Sequence, residues 1–340
     1  MVTQTFCTVF DCRFLIRGLA LYRSLLKCCL SFRLFVLCMD RACYDQLDRM
    51  NLSFLELISL EDFERNDVDL RSARKNRSQI EYYFTCTPSL PLYIFNHFPD
   101  LKEVTYLDAD LFFFADPQPV FDEIGDHSVA LIPHRFQEEL SFMEVSGIYN
   151  VGFVYFRQDR TGLGILTWWR NECLQWCYDR LEPGRFADQK YLDRVPELFV
   201  GVKIIQHKGA NLGPWNVRNY ELVQANEGLL VDDQPLIFYH FHGLRRIRDW
   251  LYDPNLMDYK ARLTRVLKKE VYEPYIKTLT SLTAQTLLNR STDALHAGVR
   301  YQFENASALS RLWARLDQLL VLTRLIISRQ FVLWINGRIL

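Results

Sequence analysis

The chain reads as an α/β protein, with a mixed, mainly parallel sheet flanked by helices and a helical extension at its C-terminal end. Three observations predict this. Short β-rich apolar runs alternate with helical periods from Phe6 onward. The opening connection has the length of a crossover helix, which parallel pairing requires. One apolar run, from Val104 to Phe114, carries Asp108 and Asp110 and stops at Asp116-Pro117, so it reads as a buried strand ending at a polar site.

The elements follow in order. Phe6 to Phe10 is a strand with a turn at Asp11-Cys12-Arg13, Leu15 to Cys29 is a helix, and Arg33 to Met39 is the next strand. A ligand crevice is expected at the carboxyl ends of such strands. No Gly-x-Gly-x-x-Gly follows the first strand, which argues against a dinucleotide site. Asp40 to Arg49 is helical and Leu52 to Leu60 is a strand. The basic run Arg71 to Arg77 is either a solvated face or a phosphate-binding segment. Ile80 to Phe98 is an aromatic helix, expected to break or restart at Thr87-Pro88.

Val129 to Pro133 is a strand leading to His134, and Ile148 to Phe156 is another, containing Asn150-Val151-Gly152. A strand glycine marks a close approach by backbone or ligand. Gly164 to Tyr178 is an amphipathic helix, and Phe186 to Asp193 opens a further one with Asp188 and Gln189 at its start. Val200 to Ile205 is a strand, and Pro235 to Gly243 is the last, ending in His240 and His242.

Composition limits the function. With 340 residues, 49% hydrophobic and 14% aromatic, the chain can bury a large core. A net charge of −1 gives no sign of nucleic-acid binding, so any polyanion site must be local. The nine cysteines are odd in number and show no Cys-x-x-Cys spacing, which points to free thiols in a reducing compartment. Cys173 and Cys177 lie one helical turn apart and read as packed thiols. No signal peptide is recognisable, and Arg17, Arg23, Lys27 and Arg33 interrupt the apolar stretch Phe14–Cys38 too often for a spanning helix. A cytoplasmic protein is expected.

Residues i and i+2 of an extended segment point to one side, so Asp108 and Asp110 can converge on Mn²⁺ or Mg²⁺. The other reading is a strand end whose aspartates cap the next helix. His240 and His242, followed by Gly243 and the cations Arg245 and Arg246, read as a site rather than as core histidines.

These motifs together resemble nucleotide-sugar glycosyltransferases of the GT-A type. The chain is most similar to bacterial polysaccharide enzymes near family 8, the family of glycogenin and lipopolysaccharide galactosyltransferases. Phe6 to Asp11, with Arg17-Gly18 and Ser24-Leu25 behind it, resembles the first strand that contacts the nucleoside. Leu107-Asp108-Ala109-Asp110 is similar to the metal-binding Asp-x-Asp, and Asn150-Val151-Gly152 to the strand facing the donor sugar. Asp188-Gln189 matches the pair at the reacting centre, and His240-Phe241-His242-Gly243 the His-x-x-Gly segment whose histidine completes the metal site.

The resemblance covers roughly residues 3 to 250 and implies a GT-A-type, Rossmann-like catalytic domain over 1–250; residues 251–340 lie outside it and read as a helical extension. It implies metal ligands Asp108, Asp110 and His240, donor contacts from Thr8, Asp11, Asp108 and Asn150, and catalytic Asp188 and Gln189. The family's Lys-Pro-Trp is missing, which leaves Arg245 or Arg246 as the diphosphate cation. The implied reaction moves a sugar from a nucleotide diphosphate sugar to a glycan or lipid-linked acceptor, with retention; inversion would require a carboxylate base, for which Glu138, Glu139 and Glu144 are available. Haloacid-dehalogenase-type phosphatases also begin with Asp-x-Asp, but Leu111-Phe112 does not fit them. A non-catalytic scaffold in a polysaccharide assembly complex is the alternative function. The last thirty residues carry five arginines and one acid among Leu, Ile, Val, Phe and Trp. They read either as a basic amphipathic helix lying on the inner membrane surface or as a helix packed on the protein.

Overall fold

The computed structural model describes residues 3–226 and 228–286, with 323, 328, 330–335 and 337–339 near the C-terminus. The chain opens with β1 (Gln4–Phe10), α1 (Leu15–Cys28), β2 (Phe32–Cys38), α2 (Arg41–Met50) and β3 (Leu55–Ser59). Asp40 starts α2 by accepting the Cys43 amide at 2.7 Å, and its other oxygen accepts the Cys12 amide at 3.0 Å. Two short helices, α3 (Leu60–Glu64) and α4 (Val68–Arg74), precede α5 (Gln79–His97). The break expected at Thr87-Pro88 does not occur: α5 is one helix with Pro88 and Pro91 inside it. A Ser78/Glu81 capping box sets its start, and burial from Thr85 to Pro91 holds it against the sheet.

β4 (Glu103–Leu107), β5 (Leu111–Phe113), α6 (Gln118–Ile124), β6 (Val129–Pro133), β7 (Tyr149–Arg157), α7 (Arg160–Gln175), α8 (Val195–Leu198) and β8 (Val202–Ile204) follow. The central sheet runs β3-β2-β1-β4-β7-β6-β8. Only β7 opposes the other six, so the sheet is mixed and mainly parallel. Strand side chains alternate between its faces: Leu34 and Val36 pack with α1 and α9, Phe35 and Leu37 with α5 and α7. α9 is the helix Glu273–Gln285.

Between these lie a small antiparallel sheet of β9 (Leu222–Ala225), β10 (Gly228–Val231) and β11 (Gln234–Pro235), and then β12 (Phe238–His240). The point expected to divide the chain, residue 250, falls in the hairpin of β13 (Arg245–Arg248) and β14 (Leu251–Asp253). β15 (Val332–Ile335) pairs with β14 and β16 (Arg338–Ile339) with β15. So the final segment is not helical throughout: Val332, Leu333 and Trp334 are β-formers that meet the open edge of β14. The rest of the amphipathic segment over 311–338 lies almost entirely outside the described residues. Among the described residues no helix is long and apolar enough to cross a membrane, and all nine cysteines are unpaired.

Candidate metal and donor site

The run that sequence reads as one strand divides into two. β4 ends at Leu107, the chain turns through Asp108-Ala109-Asp110, and the Leu111 amide closes the turn on the Asp108 carbonyl at 3.2 Å. The Asp108 amide donates to Gly152 of β7 at 3.1 Å. β5 then leaves the central sheet and pairs antiparallel with β12, His240 opposite Leu111. The Phe241 amide donates to the Asp110 carbonyl at 3.0 Å, which locks this register. The two aspartates therefore converge through a turn, not through an extended i, i+2 geometry. A strand more than a hundred residues away supplies the histidine.

His240 Nε2 lies 3.0 Å from Asp110 Oδ1 and 3.7 Å from Asp108 Oδ2. One ligand atom from each residue lies within 4.8 Å of the others, so the three can hold one ion. Burial pushes the Asp108 carboxyl up to about 6, and the charge of Asp110 adds to this, while His240 and the Tyr106 hydroxyl at 3.2 Å work against it. Burial also opposes the charge on Asp110, but His240, Arg17 and His242 outweigh it and hold that carboxyl well below the usual carboxylate range. For His240, burial disfavours the charge and the two aspartates overcome it, raising its pKa. Asp110 and His240 thus each favour the other's charged form, a pairing whose proton a cation can replace. Two carboxylates and one imidazole suit Mn²⁺ or Mg²⁺, and the residues fit such an ion.

Packing around the triad explains the glycine of Asn150-Val151-Gly152. A Cβ on Gly152 would lie 2.5 Å from Asn150 Oδ1 and 2.8 Å from the His240 ring. Only glycine leaves room for the histidine. The Asn150 amide, expected at the donor sugar, is engaged within the protein: Oδ1 accepts from the Gly152 amide at 2.9 Å and from Asn211 at 3.1 Å, and Nδ2 meets His134 Nε2 at 3.0 Å. Burial drives His134 down to about 3, so it is neutral, with Nδ1 donating to the Ile148 carbonyl at 3.1 Å and Nε2 accepting from Asn150. Asn216 donates to the His134 carbonyl at 2.8 Å, and Trp215 meets the His240 ring edge-on at 5.1 Å. This buried layer sets the orientation of His240.

Asp188 is 4% exposed, and burial raises its carboxyl to about 7, with repulsion from Asp108 adding and the Thr87 hydroxyl opposing. The two carboxyls therefore lie close enough for their charges to repel. Trp169 Nε1 donates to the Asp188 carbonyl at 2.8 Å. Gln189 Nε2 donates to the Ser146 carbonyl at 3.1 Å and lies against Gly147, whose φ of +140° and missing Cβ admit the side chain.

Cys7 pairs with Tyr106, which sets Asp11 at the same sheet edge as Asp108. Asp11 is satisfied by the protein: Tyr83 donates to it at 2.8 Å and Arg13 pairs with it, which shapes the turn into α1. Thr8 is fully buried in β1, with its hydroxyl lacking a partner. Arg245 is paired with Asp253 at 2.5 Å and Arg246 with Asp249 at 3.1 Å. In the basic run, Arg74 pairs with Glu64 at 2.9 Å, and Arg77 donates to the Leu174 carbonyl at 3.3 Å and covers the Tyr178 ring. Arg17 enters the sequence reading only through the Arg17-Gly18 spacing behind the first strand, with no role of its own, and Tyr275 does not enter it at all. For the first a signal existed, a lone cation within the apolar run Phe14–Tyr22.

No family model matches the chain. It is 36% identical over 252 residues to the uncharacterized protein YfnF of Bacillus subtilis (strain 168), covering 72% of this chain and 82% of that one. To YfnD of the same organism it is 30% identical over 282 residues, covering 82% and 89%. Among solved structures it is similar to the galactosyltransferase LgtC in complex with donor and acceptor sugar analogs, with a TM-score of 0.53 and 17% identity over 82% of this chain and 96% of LgtC. An active-site glutamine-to-glutamate mutant of LgtC matches with the same TM-score over 86% of this chain and all of that one. The chain belongs to the family of YfnF and YfnD and carries the GT-A-type glycosyltransferase fold.

Proposed function

We propose that the protein is a metal-dependent glycosyltransferase that moves a sugar from a nucleotide diphosphate sugar to a glycan or lipid-linked glycan, with retention of anomeric configuration. The observation that carries this reading is the convergence of Asp108, Asp110 and His240, with the buried Asp188 carboxyl near enough to Asp108 for their charges to repel. An Mn²⁺ or Mg²⁺ ion held there would supply Lewis-acid stabilisation of the negative charge that develops on the departing diphosphate. Asp188 binds hydroxyls of the donor sugar, since a buried carboxylate is a strong acceptor. Gln189 presents an amide near the anomeric carbon; it polarises and positions but cannot act as a base.

The pairing of one alternative base, Glu139, supports retention. Glu139 is held between Arg218 and Lys260, each at 3.5 Å. Front-face attack then passes the acceptor's proton to the leaving phosphate. The basic, apolar sequence over 311–329 supports an acceptor met at the cytoplasmic face of the inner membrane.

A panel of nucleotide sugars, each with and without Mn²⁺, tests this by thermal shift on the wild type and Asp110→Asn. A ligand bound only by the native state adds about 2.7 kcal/mol at a hundredfold excess over its dissociation constant. The expected result is a metal-dependent shift with one donor class that the variant loses. A folded wild type that responds to no donor overturns the proposal.

A further inference from the structure

Arg17 sits in the first turn of α1 and is 6% exposed. Among the described residues no carboxylate pairs with it. Its Nη2 donates to the Leu244 carbonyl at 2.6 Å and its guanidinium covers the Phe14 ring at 4.7 Å, but its Nε has no partner. A guanidinium cannot shed its proton, so a buried one without an anion is costly. The place is informative. Leu244 follows directly on the His240–Gly243 segment, and the charge of Arg17 acts on Asp110 and on His242.

A second unsatisfied group lies in the same place. Tyr275 on α9 is fully buried, its ring stacked on Phe241 at 3.7 Å and edge-on to Phe112 at 5.4 Å. Its hydroxyl has no partner, and Arg17 and Asp110 both act on it electrostatically. Phe112 lies in β5 and Phe241 directly follows β12, the two strands of the ribbon that brings His240 to the aspartates.

A fixed positive charge beside a divalent-ion site weakens the site for the bare ion. It strengthens the site for an ion that arrives with an anion, because the anion can bridge both charges. A diphosphate has oxygens enough for the metal and for a planar donor fork. Arg245 and Arg246, the cations expected from sequence, are already held by Asp253 and Asp249. We propose that Arg17 and Tyr275 are the protein half of a diphosphate-binding site whose other half is the ion at Asp108, Asp110 and His240. On this arrangement α9 completes the donor site. The inference rests on the function proposed above for its nucleotide, though not for its anion chemistry.

The test uses the full-length protein. Manganese binding is followed by the loss of the free-ion electron paramagnetic resonance signal, alone and with uridine, guanosine or thymidine diphosphate or inorganic pyrophosphate. Arg17→Met is expected to bind Mn²⁺ alone as well as or better than the wild type. Its affinity for the diphosphate in the presence of Mn²⁺ is expected to fall roughly 10–100-fold, the loss of charge-assisted hydrogen bonds. Arg17→Lys should recover part of this, and Tyr275→Phe should lose about three- to tenfold at an unchanged melting temperature. The proposal is overturned if Arg17→Met and Tyr275→Phe bind diphosphate like the wild type. It is equally overturned if metal and diphosphate affinity fall in parallel. Pyrophosphate bound in this pattern, with no nucleoside diphosphate bound, upholds the site and removes the proposed function. Nucleoside diphosphate bound equally by every variant does the reverse.

Discussion

Replacing Asp188 with asparagine should make the metal-free protein more stable at alkaline pH while destroying its activity. The Asp188 carboxyl is pushed up to about 7 because it is buried and repelled by Asp108, whereas in the unfolded chain it has its ordinary value of 3.8. The native pKa is the higher one, so the unfolded state loses its proton first as pH rises. The stability linked to this group is complete below 3.8, declines across the interval and is gone above about 7. A gap of roughly 3 pH units, at about 1.4 kcal/mol for each, makes the cost of the buried charge about 4 kcal/mol at pH 8. Asparagine keeps the shape and never ionises.

Urea unfolding of both proteins in the presence of a chelator, from pH 4 to pH 8.5, measures this directly. The stability of Asp188→Asn relative to the wild type should be flat near pH 4 and climb toward that 4 kcal/mol by pH 8, a melting difference of roughly 5–10 °C. Adding Mn²⁺ should narrow the gap, since a cation beside Asp108 offsets the repulsion. A difference independent of pH, or a wild type that gains on the variant as pH rises, would refute the assignment of Asp188 as a carboxylate whose charge is held against folding. Such a cost at a buried acid is the usual mark of a group kept for chemistry rather than for stability.

Other consequences are as concrete. Gly152→Ala drives a methyl to within 2.8 Å of the His240 ring, so it should weaken Mn²⁺ binding at least tenfold and lower stability by about 1–3 kcal/mol; calorimetric metal titration and thermal melts check both. Metal binding should also release a proton, because Asp110 and Asp108 raise the pKa of His240 and a bound ion displaces its proton. Mn²⁺ affinity should then be lower at pH 6 than at pH 8, and His240→Gln should reduce that dependence in the same titration, leaving the part due to the Asp108 carboxyl near 6.

The α/β order and most strands were legible in the sequence because they rest on local signals. Alternation along Leu34, Phe35, Val36 and Leu37, or the Ser78/Glu81 cap of α5, depends only on near neighbours. The candidate ligands Asp108, Asp110 and His240 were legible for a related reason, since polar residues at the ends of apolar runs stand out. Their geometry was not. The turn between β4 and β5 exists because β5 finds its partner in β12, and no local pattern encodes that pairing.

Tertiary structure likewise decided which polar groups are already satisfied. Asn150, Arg245 and Arg246 look available in sequence, yet their partners are Asn211 and His134, Asp253, and Asp249. Sequence gives neither Arg17 nor Tyr275 a ligand role, yet folding buries both and leaves the Arg17 Nε and the Tyr275 hydroxyl without a partner. The C-terminal strands follow the same rule, as Val332–Ile335 becomes β15 only where β14 offers an edge. Sequence by itself determined the periodicities and the residue types at the strand ends, which are properties of short segments. Burial and pairing belong to segments that meet only in the folded chain, and those alone decided the shape of the metal site and which charges remain for a ligand.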